Sequence, residues 1–160
     1  MGTGQLVELS RRLRAAGGTR LQQNMTRRVR RAAEPLQKDL QRAIRTVPLP
    51  GAGRTKRGGP SPTSRPFRVM LAGGVRISVR QGASAGARVW MDKSRLERKA
   101  RNVPWQIESG RLRHPVFGNR RRWTNQTPPP GWWSRTVRAG MPRMNAEIQR
   151  IVGDVRRDLE

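Results

Sequence analysis

The sequence predicts an α+β fold: a long N-terminal helix, a small antiparallel β-sheet with a long basic loop, and a C-terminal amphipathic helix. Three observations predict it. Apolar residues recur at helical spacing near both ends of the chain. Strict alternation occupies "VRISVR", residues 75–80. Between these lies "PLPGAGRTKRGGPSPTSRP", residues 48–66, with five prolines, four glycines and no apolar period.

Each element has its own reason. In "QLVELSRRLRAA", residues 5–16, Leu6, Leu9, Leu13 and Ala16 fall on one helical face, and Gly17 with Gly18 breaks it. Met25, Val29, Ala32 or Ala33, Leu36, Leu40 and Ile44 then keep helical spacing almost to Pro48. Pro35 lies inside that pattern without an amide hydrogen to donate, so a kink or break is expected there. Unbroken, residues 19–47 would form a rod of about 44 Å at about 1.5 Å per residue. Residues 48–66 form either a disordered basic linker or an arm that orders on a neighbour or on DNA, with a reach of about 60 Å when extended. Strand 75–80 returns through "QGASAGA" to "RVWMD" as a hairpin, and "DKSRLERKARN", residues 92–102, has room for a helical turn or two.

"ESGRLRHPVF" and "RRWTNQ" read as two further strands joined around Gly118, Asn119 and Arg120. "TPPPGWW" reads as a stiff polyproline segment. Met144, Ile148, Ile151 or Val152, Val155 and Leu159 mark the last helix, with Pro142 in its first turn and Arg156 and Arg157 near its end. The expected organisation is a single domain over residues 1–160: helical to 47, a flexible basic loop over 48–66, β-rich over 67–135, and helical over 136–160.

Composition narrows function. With no cysteine, one histidine and ten carboxylates, neither a disulfide framework nor a zinc site is expected. The longest apolar run, "VMLAGGV", is too short for a bilayer, and the first residues lack the apolar core of a secretory signal. A soluble, cytosol-made chain is expected, with no membrane partner. Only 34% of the chain is hydrophobic, so its burial is expected to finish against a neighbour.

Charge is the strongest compositional feature. Lys plus Arg is 35 against 10 acidic residues, a net +25, and all but Lys38, Lys56, Lys93 and Lys99 are arginine. The excess runs through the first 135 residues, while residues 136–160 carry 5 basic and 4 acidic groups. Such a surface implies a polyanionic partner. Arg54, Lys56 and Arg57 in the loop, and Arg120, Arg121 and Arg122 beside Trp123, are the candidate contacts to DNA or an acidic partner.

No enzyme and no cofactor are expected. His114 has arginines around it and Glu108 is the only carboxylate between residues 98 and 146, so a structural histidine is preferred over a catalytic base. No phosphate-cradling glycine motif and no suggestively spaced carboxylate pair is present. Trp123, Trp132 and Trp133 are read as packing or interface anchors in preference to base-stacking platforms.

Residues 111–133, "RLRHPVFGNRRRWTNQTPPPGWW", resemble the tail-component proteins of long-tailed double-stranded-DNA phages of actinobacteria, within the wider tail-completion or head–tail joining group. The correspondence rests on Arg111, His114, Pro115, Val116, Phe117, Gly118, Asn119, Trp123, Gln126, Pro129, Pro130, Gly131 and Trp132. Elsewhere it is one of layout. The resemblance implies a non-enzymatic virion protein at the head–tail junction, forming a homo-oligomeric ring (hexamer or dodecamer) between the connector and the tail tube. Its implied partners are its own copies, head-completion or connector proteins, tail-terminator or tail-tube proteins, and the DNA it touches without specificity. His114, Pro115, Phe117, Gly118, Asn119, Trp123, Trp132 and Trp133 would then serve fold and interface. Most arginines would face acidic neighbours and a minority the channel. The alternative is a free basic nucleic-acid-binding protein, for which the charge alone speaks.

Overall fold

The structure is a computed structural model that describes residues 4, 7–8, 11–12, 19–49, 67–80, 86–116 and 119–157. Helix α1 (Thr19–Thr46) is followed by α2 (Phe67–Gly73), strands β1 (Val75–Arg80) and β2 (Gly86–Met91), and two 3-10 turns at Lys93–Arg95 and Arg98–Ala100. Helix α3 (Val103–Glu108), strands β3 (Leu112–Val116) and β4 (Asn119–Gln126), and helix α4 (Trp132–Arg157) complete the order. The fold is α+β, as expected. Of the helix expected over residues 5–16, Val7, Glu8, Arg11 and Arg12 are described and helical.

The chain divides into two compact units, one of residues 1–39, 75–91 and 137–160, the other of residues 40–74 and 92–136. In the first unit α1 buries Met25, Val29, Ala32, Ala33 and Leu36, and α4 buries Met144, Ile148, Ile151, Val152 and Val155. These positions recur every three or four residues, the stripe that one buried helix face requires. The two helices run antiparallel: Leu36 lies against Gly140, and Arg28 pairs with Asp154. A Cβ on Gly140 would stand 2.8 Å from Leu36 Cδ1, so the buried Leu36 side chain would have to shift to admit one. Gln37 Nε2 donates to the Val75 carbonyl at 2.8 Å and ties the β1–β2 hairpin to α1. That tie matters because an isolated two-stranded hairpin is marginal in water.

The second unit buries Leu40, Ile44, Val47, Leu71, Ala72, Leu96, Ala100, Ile107, Leu112 and Trp132. At the C-terminus of α1, Val47 N–H donates to the Ala43 carbonyl at 2.9 Å and Arg68 Nη1 to that of Arg45 at 2.7 Å. The guanidinium sits where the helix dipole favours a cation.

Three expectations are corrected and a fourth is narrowed. Of the kink or break expected at Pro35, the break does not occur: helix α1 runs through it. The proline costs about 3 kcal/mol in a helix interior. Each buried Val or Leu returns about 1.5–3 kcal/mol, and Val29, Leu36 and Leu40 flank the proline on one face. The single sheet is instead two separate hairpins, β1–β2 and β3–β4. The β-rich stretch 67–135 contains helices α2 and α3. Finally, α4 starts at Trp132, ten residues ahead of Pro142, which lies inside the helix and not in its first turn.

Candidate polyanion-binding hairpin

In the β3–β4 hairpin, Leu112 pairs with Gln126, Arg113 with Asn125, His114 with Thr124 and Pro115 with Trp123. The next pair is Val116 with Asn119, so the register jumps and residues 120–122 have no partner on β3. Pro115 gives the local reason: it has no N–H to offer the ladder, and proline within a sheet belongs at an edge or a bulge. Arg120, Arg121 and Arg122 therefore form an exposed, unpaired bulge within β4.

Two hydrogen bonds hold that bulge. The Arg121 N–H donates to Asn119 Oδ1 at 2.9 Å, the turn an Asn side chain makes with the backbone two residues on. Trp123 Nε1 donates to the Arg120 carbonyl at 2.8 Å. One ring face of Trp123 is in turn covered by the Arg113 guanidinium, 5.0 Å from the centroid. Arg113 lies two residues from Pro115, the cross-strand partner of Trp123, and so shares its face of the ladder. Trp123 remains 48% exposed.

His114 points to the other face with Leu112 and is half-buried. Its Nδ1 lies 3.1 Å from the Pro115 carbonyl, an oxygen that can only accept, which assigns the ring proton to Nδ1. Phe67, Met70, Lys99, His114, Arg120 and Trp123 line part of an open cleft of about 840 Å³. Glu97, Asn102 and Gln106 also line it, so the lining mixes apolar, cationic, acidic and amide groups.

Several acidic groups are occupied elsewhere. Asp154 binds Arg28 and Arg157, and the Arg28 hydrogen bond, followed by that of Arg157, holds its carboxyl below the usual aspartate range. Glu147 pairs with Arg150 at 2.7 Å, and Glu97 with Lys99 at 3.3 Å. Glu108 caps a helix: its Oε2 accepts the Trp133 N–H at 2.7 Å, its Oε1 that of Ser134 at 3.3 Å, and its backbone carbonyl that of Gly131 at 2.8 Å. Gly131 enters α4 with φ +81°, a region glycine occupies without strain. Among the described residues, no carboxylate pairs with Arg113, Arg120, Arg121 or Arg122.

Of the residues singled out in the sequence, His114, Pro115, Asn119, the three consecutive arginines and Trp123 come together in this hairpin. Trp132 and Trp133 open α4, edge to face with centroids 5.5 Å apart. Trp132 is buried and donates from Nε1 to the Pro104 carbonyl at 3.0 Å, a packing role. Phe117, Gly118, Arg54, Lys56 and Arg57 lie outside the described residues. Sequence reading missed Arg113, Glu108 and Trp105, which is 69% exposed. The Arg113–Trp123 stack needed a register that the bulge conceals.

Among the described residues no three His, Asp or Glu side chains cluster as metal ligands, and no helix is long and apolar enough to cross a membrane. The chain matches no protein-family model, no curated protein and no solved structure, so its own residues carry the functional reading.

Proposed function

We propose that this chain is a structural virion protein of a long-tailed phage, a ring-forming tail-completion or head–tail joining subunit that links the connector to the tail tube around the DNA. The observation that carries the reading is how residues 111–133 are used. Pro115 ends the regular ladder, Asn119 and the Trp123 indole pin the bulge, Gly131 makes the turn into α4, and Trp132 is buried beneath it. These residues shape backbone and present a surface. None of them forms a nucleophile–base pair, and Glu108, the nearest carboxylate in sequence, is committed to a helix cap. Exposed Trp105 and Phe67 in the same unit suit contacts between subunits or with neck partners, where large rings supply much of the binding energy.

The deciding experiment is immunogold electron microscopy of intact virions after nuclease treatment and a high-salt wash. Label is expected at the head–tail junction. Intact particles without label, with the protein left in the nucleic-acid fraction, would overturn the reading in favour of a free basic nucleic-acid-binding protein.

A further inference from the structure

We infer that the β3–β4 hairpin is a preorganised binding site for the phosphodiester backbone of duplex DNA, with Arg120, Arg121 and Arg122 as the phosphate contacts and Asn119, Arg113 and Trp123 as the residues that position them. The inference stands on the hairpin's geometry and does not depend on a place in the virion.

The three guanidiniums project from consecutive residues of a bulge that the β3 ladder leaves free. Their backbone is fixed at two points, the Asn119 turn and the indole bond to the Arg120 carbonyl. Fixing it in the free protein removes part of the ordering cost of binding. Among the described residues no carboxylate neutralises them, whereas Arg150 and Arg157 are paired within α4.

Charge density selects the occupant. Even at the extended spacing of about 3.3 Å per step, Arg120 to Arg122 is two steps, so the three arginines fall within roughly 7 Å of backbone. Duplex DNA presents a negative charge for about every 1.7 Å of its axis, which supplies such a row continuously. A protein partner would have to concentrate three carboxylates in the same span. The tryptophan is scaffold here: Arg113 covers one face and its N–H is already bonded, so the site reads backbone and not bases.

The test is fluorescence anisotropy of a labelled duplex of about 25 base pairs, titrated with the full chain between about 50 and 200 mM salt. The variant R120A/R121A/R122A is compared with R27A/R30A/R31A, which removes three exposed arginines of α1 and so lowers the +25 charge equally. Each phosphate contact contributes about 0.9 to the slope of log affinity against log salt, so the hairpin variant is expected to lose about 2–3 from that slope and at least about tenfold in affinity. The α1 variant should lose much less. W123F retains a ring for Arg113 but not the bond to the Arg120 carbonyl. It should bind several-fold more weakly with the slope unchanged.

Equal losses in the two triple variants would overturn the proposal, because net charge would then be binding and no site would exist. So would poly-L-glutamate of equal charge displacing the duplex as well as unlabelled duplex does, since that would assign the site to carboxylates.

Discussion

Replacing Glu108 tests how α4 begins. Its carboxylate accepts two of the N–H groups that a helix leaves unsatisfied at its start, from Trp133 and Ser134. Losing a side-chain cap costs about 0.5–2 kcal/mol, and losing an anion from a helix N-terminus about 0.3–1 kcal/mol. The side chain is half-buried, so solvent screens part of the second contribution. E108A should therefore destabilise the chain by roughly 2 kcal/mol. E108Q keeps one acceptor oxygen and loses the charge, and should cost roughly half as much. Urea unfolding followed by far-ultraviolet circular dichroism reads both. With a denaturant slope of about 1–3 kcal/mol per M, the alanine variant moves its midpoint by about 1 M. Amide exchange at Trp133 and Ser134 should accelerate more than exchange in the middle of α4. An alanine variant within about 0.5 kcal/mol of the parent would refute the cap, as surface substitutions without a structural role fall in that range.

Three further outcomes are expected. Gly131→Ala places a Cβ at φ +81°, 3.2 Å from Ser134 Oγ and Arg135 Nε. It should destabilise by about 1–2 kcal/mol in the same urea assay, and no loss would show that the turn relaxes freely. Gly140→Val overfills the contact with Leu36 and should cost about 1–3 kcal/mol. In an L36A background it should cost at least about 0.5 kcal/mol less, and strict additivity would separate the two positions. Asp154 has its folded-state pKa lowered by Arg28 and Arg157, so its stabilisation is present above the ordinary aspartate value of 3.8 and is lost as pH falls through the depressed folded value. Urea midpoints measured from neutral pH into acid should therefore fall less steeply for D154N than for the parent. Parallel curves would dismiss Asp154 as a source of acid sensitivity.

Long-range periodicity and the alternating strand over residues 75–80 were legible, and short helices were not. Helix α1 declares itself because Met25, Val29, Leu36, Leu40 and Ile44 repeat on one face over many turns. Helices of seven and six residues, α2 and α3, complete too few turns for a face to emerge, and α2 buries Leu71 and Ala72 while exposing Val69. The start of α4 was hidden for a different reason. Its capping carboxylate, Glu108, comes from the end of α3, and nothing local to "PPPGWW" reports it. The proline run therefore masked a helix that begins immediately after Gly131. In the candidate site, the prediction of a hairpin was sound, and Pro115 carried the signal for an irregular ladder. The size of the bulge was not readable, because it is set by contacts from Asn119 and Trp123 that exist only once the strands have paired.

The uneven placement of charge follows from how these elements form. A helix sets side chains three and four residues apart beside one another, so an acid in α4 finds an arginine automatically: Glu147 meets Arg150 and Asp154 meets Arg157. A bulge offers no such neighbour. Consecutive arginines released from a ladder have only solvent or a partner to answer their charge, and among the described residues no carboxylate comes to them. Like charges held close together repel, and a polyanion bound at the bulge would relieve such repulsion. Any anion that binds the folded hairpin in preference to the unfolded chain therefore stabilises the fold by linkage, reaching about 2.7 kcal/mol at a hundredfold excess over Kd. Polyanion binding at this bulge, as proposed, would couple recognition to stability, because one pinned bulge concentrates charge that no carboxylate among the described residues answers.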